Sequence, residues 1–553
     1  MATTQSFVND PEVSGIVSHL KNTMQQRRDT GQYVSDVVDA EGNEYVDLVM
    51  EGGGVLGVAL VGYTYAMEQA GIRFRSIAGA SAGAINGLLL SSVQEGSVSK
   101  EKSTDILEAV ANKNFFDFID GSRLVKGLMR IVFGKRRISD RIFRILLRIT
   151  FFVGILVLMG LLQGIFYKAV GWFEQLLGIY DNLDKWDHNL VNRDFINVCI
   201  AIFLTAVTMI VSIYLFFRGL LNGYGLNPGR TFTQWMRDLL NKEGITSISN
   251  LQTERKKSAD ATFLVRQERL NEDMALNDQE AVLERLTPRS VFISADVSMK
   301  RKVFFLGGTD NESDYWEESG NIHPAYAIRA SMSIPFFFRP LKVDDISKDA
   351  FAVKGVKPNV VKSKENMDQV RFVDGGLLSN FPIDVFHNYE HIPLLPTFGV
   401  RLGLDDETPT AAKPVNAIGY FVQFCNDMFS TLRSLNDQTF LRKNSEYKFL
   451  VAYIDTGESN WLNFSMEDAE KLALFKAGVK AAAQFLVGLE AKKSEAITFI
   501  STKNASHLNK IDPKKATLKT GFDWENYKQL RRLKQRYFTQ VQHTNTDDTT
   551  QKA

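Results

Sequence analysis

One serine in the chain stands where its hydroxyl can be turned into a nucleophile. Gly79-Ala80-Ser81-Ala82-Gly83 follows an apolar run at 74–78 and precedes a helix-forming apolar run at 84–90. That is the pattern of a strand turning sharply into a helix. Gly79 and Gly83 leave room for a turn in which a Cβ would strike a neighbouring strand or helix. Ser81 then stands at a helix N-terminus, whose free N–H groups and dipole favour developing negative charge. The same small residues also build ordinary strand–helix corners, so this motif needs company.

Two further stretches provide it. Upstream, residues 45–50 read as a buried strand and run into Glu51-Gly52-Gly53-Gly54-Val55-Leu56-Gly57. Three successive glycines between a strand and a helix expose backbone N–H groups that suit a phosphate or an oxyanion. No Gly-Lys-Ser/Thr follows, so the loop is not a P-loop. Far downstream, Arg371-Phe372-Val373-Asp374-Gly375-Gly376 ends an apolar strand on an acid, and its two glycines let other groups approach that acid closely.

Gly-rich loop, Gly-x-Ser-x-Gly and Asp-Gly-Gly, in that order, resemble the patatin-like phospholipase family. The block 327–337 before Asp374 and Asn380-x-Pro382 after it are similar to that family as well, and the likeness runs from about 45 to about 388. Leu56 stands where many members carry a basic residue. The resemblance implies an α/β fold, a three-layer α/β/α sandwich around a mostly parallel sheet. It also implies a serine acyl hydrolase acting on fatty-acyl esters of membrane glycerophospholipids. Ser81 would be the nucleophile and Asp374 the general base, with no histidine in the pair. Gly52, Gly53 and Gly54 would form the oxyanion hole, supported by Gly57, Gly79, Gly83, Gly375 and Gly376. The substrate would be a lipid ester at a bilayer, and no cofactor or metal is called for.

Rival chemistries are weaker. His387 and His391 follow Asp374, giving the order Ser…Asp…His of α/β-hydrolases, but no histidine precedes the glycine loop. The same two histidines at i, i+4 could face a metal, yet no third ligand stands out. A lipid transacylase on the same fold, or a silent membrane-anchored scaffold, remain the alternatives; retention of both Ser81 and Asp374 argues against the scaffold.

Those residues need elements to hold them. The 553 residues are 44% hydrophobic and 23% charged, an ordinary globular composition, and the net charge of +1 gives no reason to expect nucleic acid. Cys199 and Cys425 make no disulfide framework. Residues 1–30 lack the pattern of a signal peptide. Patterning predicts a short helix near 13–20, a helix at 231–242, strands at 290–297, 302–306 and 447–454, and an amphipathic helix at 412–443. Ser465 with Asp468 resembles a capping box opening a helix that runs to about 489. Residues 253–288 and 354–369 read as charged surface.

Composition shifts sharply at 149–167 and 195–217, stretches of 19 and 23 residues without a charge. Each is long enough to span a bilayer as a helix. Basic residues crowd before the first run and follow the second, which places both flanks on the cytoplasmic side. The expected organisation is an N-terminal segment (1–43), a catalytic domain in two parts (44–141 and 219–500), a transmembrane helical hairpin inserted between them (142–218), and a polar C-terminal tail (501–553). The protein would then be an integral membrane protein with its catalytic domain on the cytoplasmic face.

Overall fold

The structure is a computed structural model. It describes residues 3–92, 101–120, 224–257, 284–306, 319–343, 370–389, 391–403, 433–457, 461–488 and 521–535, with a few isolated residues between them. The chain divides into two compact units, one formed by 1–120 with 227–553 and the other by 121–226. The fold and site below belong to the first. Both charge-free runs lie outside the described residues, as does 354–369. Among the described residues no helix is long and apolar enough to cross a membrane.

The chain enters through α1 (Pro11–Asp29), where Asp10 caps the N–H groups of Glu12 and Val13 and Pro11 occupies the first turn. Val13, Val17, Leu20 and Met24 recur at helical spacing and are buried. The helix is longer than its apolar patch suggests because the flanking residues are good helix formers with a basic last turn. Next come β1 (Glu44–Met50), α2 (Gly57–Gln69), β2 (Ile72–Ala80), α3 (Ala82–Ser92) and α4 (Ser103–Ala111). After the second unit follow α5 (Arg230–Lys242), β3 (Ser290–Asp296), β4 (Arg301–Phe305), α6 (Ala325–Ser331), β5 (Leu341–Lys342) and β6 (Arg371–Asp374). The sheet and its cover are completed by β7 (Thr397–Leu402), β8 (Val451–Ile454) and α7 (Asp468–Val487).

This is an α/β fold. The sheet runs β8-β7-β1-β2-β3-β6-β5, parallel from β8 through β3 and antiparallel at β6 and β5. Strands covered on both faces should be apolar throughout. β1 is buried along its length except at Asp47, and β3 is buried throughout. α2 is buried from Val58 to Glu68, so its apolar residues can run all round it. It meets α7 backbone to backbone at two glycines: a methyl on Gly478 would lie 2.6 Å from the Tyr63 nitrogen, and one on Gly62 would lie 2.8 Å from the Phe475 carbonyl carbon.

Three local expectations change. The strand expected from 447 begins at Val451, because Ser445–Leu450 forms a 3-10 turn that delivers the Tyr447 hydroxyl to His387 at 2.7 Å. The capping box does not form: Glu467 is the N-cap and makes no side-chain cap bond, leaving Asp468 and Glu470 to face the helix dipole. The helix ends at Gly488 in the left-handed region, the usual glycine stop. The C-terminal region, expected to be a polar tail, contains a packed helix over 524–535. Phe522, Trp524 and Tyr527 are buried, Lys528 Nζ reaches the buried Asp36 carboxylate at 2.9 Å, and Arg27 donates to the carbonyls of Leu486 and Phe522 at 2.6 Å.

The α2–α7 contact gives a prediction of opposite sign to helix propensity. Alanine normally stabilises a helix over glycine by about 0.5–1 kcal/mol. Gly478→Ala should instead lower the unfolding free energy by about 1–3 kcal/mol, because overpacking against the α2 backbone outweighs that gain. Denaturant unfolding checks it, and a stabilised variant would mean the two helices do not touch there.

Candidate active site

Three strand ends converge on one point. β2 runs parallel to β3 until Ala80 faces Ile293, and β6 runs antiparallel to the same strand until Asp374 faces Ser294. β4 pairs with β3 across Phe292 to Asp296, so β2 and β6 must share the other edge of β3, end to end. Ser81 and Asp374 are therefore delivered to neighbouring positions from opposite directions. β1, beside β2, ends at Met50 opposite Gly79 and releases the glycine loop on the same side.

Ser81 leaves β2 at φ +49, in the left-handed region that a non-glycine residue occupies only when its surroundings enforce it. The surroundings are tight: a methyl on Gly83 would collide with the Met50 carbonyl, and one on Gly79 would lie 2.6 Å from the Gly83 carbonyl carbon. The Ser81 N–H donates to Ser331 Oγ at 3.0 Å, which fixes the backbone and leaves the hydroxyl to face the cavity below. The residue is 4% exposed.

Asp374 is held by its own N–H, which donates to the Ser333 carbonyl at 2.9 Å, and by Gly376 N–H, which donates to Asp374 Oδ1 at 2.7 Å. Burial pushes its carboxyl above the usual aspartate range. The Arg433 guanidinium, the Gly376 N–H and the Ser81 side chain pull in the opposite direction.

In the glycine loop the three N–H groups are not equivalent. Gly52 donates to the Asn380 carbonyl at 3.0 Å, so its N–H is already used. Among the described residues, the N–H groups of Gly53 and Gly54 have no acceptor. The candidate oxyanion donors narrow from three to these two. Gly54 sits at φ +56 against the Trp461 carbonyl, and Val55 N–H donates to that same carbonyl at 3.0 Å, pinning the turn. Gly57 starts α2 in contact range of Ala82, so loop and serine turn are packed together.

Asn380 ties the loop to the acid. Its Nδ2 donates to Glu51 Oε1 and to the Gly52 carbonyl, both at 3.1 Å, and its Oδ1 accepts from Arg433 at 2.6 Å. Glu51 in turn accepts from Leu402 N–H at 2.7 Å and from Arg401 at 3.3 Å. The helical stretch 433–443 grips the turn after Asp374. Asp437 accepts from Ser379 Oγ at 2.7 Å and from Phe381 N–H at 2.8 Å, and burial pushes its carboxyl up to about 7. Asn380 was visible in sequence only as part of the block after Asp374. Ser331 was likewise visible only as part of the block before Asp374, and Arg433 and Asp437 carried no local signal at all.

An apolar cavity opens beside Ser81, lined by α2, α3, α4, α5 and the aromatic residues Phe338 and Phe464. His387 belongs elsewhere. Its ring meets Tyr447, Tyr389, Phe440 and Arg531, and burial beside Arg531 and Lys534 lowers its pKa to about 3. It is committed to the Tyr447 hydroxyl, and its lowered basicity makes it a weak candidate for the base of a triad. Among the described residues no cluster of His, Cys, Asp and Glu is arranged for a metal.

A strand-turn serine, a buried carboxylate at an adjoining strand end and an apolar cavity are the equipment of an acyl-ester hydrolase. The chain belongs to the patatin-like phospholipase family, whose model matches residues 48–387, more than half of its length. It is a lipid acyl hydrolase. Over 442 residues it is 23% identical to the uncharacterized protein YqhO of Bacillus subtilis (strain 168), covering 80% of this chain and 98% of that one. Among solved structures it is similar to VipD from Legionella pneumophila at 13% identity and a TM-score of 0.31, covering 82% of this chain and 70% of that one.

The Asn380 junction can be tested without any assay of turnover. Asn380→Ala removes one donor each from Glu51 and the Gly52 carbonyl and the Asn380 acceptor from Arg433, weakening a buried polar junction. The expected cost is about 1–3 kcal/mol in unfolding free energy. An unchanged value would show that the junction is not part of what holds the loop.

Proposed function

We propose that the protein cleaves fatty-acyl esters of membrane glycerophospholipids through a Ser81–Asp374 dyad and an acyl-enzyme intermediate. The single observation behind the proposal is the register on β3, where Ala80 and Asp374 face the consecutive residues Ile293 and Ser294. Serine is a poor nucleophile until a base takes its proton during attack. Asp374, with its basicity raised by burial, is the base adjacent to it.

Ser81 Oγ attacks the ester carbonyl carbon while its proton passes to Asp374. The carbonyl oxygen gains the negative charge, and the N–H groups of Gly53 and Gly54 hold it, a contribution of about 2.7–4 kcal/mol per donor in comparable sites. Collapse breaks the bond to the lipid alkoxide, which takes the proton from Asp374 and leaves as the alcohol. Water then attacks the acyl-Ser81 ester, giving a proton to Asp374. A second collapse frees the fatty acid and returns that proton to Ser81. The apolar cavity accepts the acyl chain throughout.

Membrane attachment belongs to the same proposal. Ser81 precedes the two charge-free runs and Asp374 follows them, so the number of crossings between them must be even for the dyad to form. Two spanning helices at 149–167 and 195–217, with the basic flanks inside, put the catalytic domain on the cytoplasmic face and beside its substrate.

Ser81→Ala and Asp374→Asn should each reduce hydrolysis of phosphatidylcholine vesicles by about 10³-fold or more, and the double variant should be no worse, because the pair acts as a unit. His387→Gln should keep most activity per folded molecule. A serine-directed fluorophosphonate should label the wild type at Ser81. Loss of activity in His387→Gln equal to that in Ser81→Ala would replace the dyad by a triad.

The attachment has its own measurement. Single cysteines at position 182 and position 97, in a background lacking Cys199 and Cys425, are exposed on intact cells to an impermeant maleimide. Labelling is expected at 182 and not at 97. Equal protection of both, together with release of the protein by alkaline carbonate, would rule out a spanning hairpin.

A further inference from the structure

The acyl cavity has a buried side-chain amide in its wall that ester hydrolysis does not use. Asn86 lies on α3 five residues beyond Ser81, about 7.5 Å along the helix axis. It is 3% exposed and lines the cavity among Ile85, Leu89, Ile106, Phe232 and Phe338. Among the described residues its Nδ2 meets only Met50 Sδ, at 3.2 Å, and its buried Oδ1 has no hydrogen-bond partner. Turning the amide over exchanges the two ends without satisfying both. A buried amide oxygen left unpaired costs stability in the empty protein, and such groups call for a ligand or water to complete them.

We propose that the cavity selects acyl chains bearing a hydroxyl group, with Asn86 reading that hydroxyl part-way along the chain. This rests on the acyl-hydrolase reading of Ser81 and Asp374 and adds the substrate class. Among the described residues no charged side chain lines the cavity, so an ionised substituent would lie there unpaired, at high cost. A hydroxyl is neutral, small, and both donor and acceptor, so it completes Asn86 in either orientation of the amide. An unsubstituted chain fills the same space and leaves Asn86 dry and unpaired. Discrimination by a buried polar group works through that penalty on the analogue lacking its partner.

The test uses the full chain and matched p-nitrophenyl esters: dodecanoate and its monohydroxylated positional isomers. At least one isomer should exceed the parent by about tenfold in kcat/KM, and Asn86→Leu should bring that ratio to within about twofold of unity. Either no preferred isomer in the wild type, or a preference that survives Asn86→Leu, overturns the proposal. A second arm needs no turnover and no change at Asn86. Calorimetry on Ser81→Ala compares the neutral amides of dodecanoic acid and of its hydroxylated isomers, and tighter binding of one hydroxylated amide by about tenfold is expected. If the wild type hydrolyses none of the esters, the catalytic reading has failed, and the binding arm alone judges Asn86: equal affinities mean the amide is satisfied by water and reads no substrate.

Discussion

The site exists because two strands end against each other on one edge of β3. β2 arrives parallel and stops at Ile293; β6 arrives antiparallel and stops at Ser294. Had β6 run parallel to β3, it would have presented its N-terminal end at this point and carried Asp374 away from Ser81. The change from parallel to antiparallel pairing at β6 is thus a requirement of the proposed dyad as well as a feature of the sheet. It also explains the residue after the acid. With β2 occupying the ladder ahead, the chain must turn off at once, and a side chain on Gly375 would strike the Ile293 carbonyl. The 3-10 turn that follows returns Gly376 N–H to the Asp374 carboxylate.

Around that meeting point, polar groups are buried in connected sets. Asp374 gives up solvation, and the charge of Arg433, in the 433–443 stretch, is the largest influence offsetting that loss. Arg433 does not stand alone. Its contact with Asn380 links it to Glu51 and to the Gly52 carbonyl, so the acid, the arginine and the glycine loop move together or not at all. A partly satisfied network of this kind costs more than an apolar core, which is why single truncations within it should be felt.

How far the sequence revealed this depended on chain distance. The serine turn and the Asp-Gly-Gly turn were legible because their steric demands are local: a glycine two residues either side of Ser81, and one directly after Asp374. The parallel strands were legible as apolar runs. The glycine loop was only half legible, since three consecutive N–H groups look alike until a tertiary contact, the Asn380 carbonyl, takes the first of them. Arg433 and Asp437 lie about 60 residues past Asp374 and look like ordinary charges on a helix. The packed C-terminal helix was missed for the converse reason. Trp524 and Tyr527 are few among many polar residues, and their burial depends on Asp36, nearly 500 residues earlier, accepting Lys528.

The same geometry supports the proposed dyad, which dispenses with histidine. A solvated aspartate holds a proton too weakly to take one from serine, whereas one buried without compensation would be neutral and no base at all. Asp374 is subject to both influences. Burial at the end of β6 raises its affinity for a proton, and Arg433, Gly376 N–H and Ser81 restrain the rise. His387 shows the other outcome of burial: beside Arg531 and Lys534 it loses its proton altogether and serves as a neutral partner to Tyr447. In this fold desolvation strengthens the carboxylate as a base and weakens the imidazole, the direction that the proposed dyad requires.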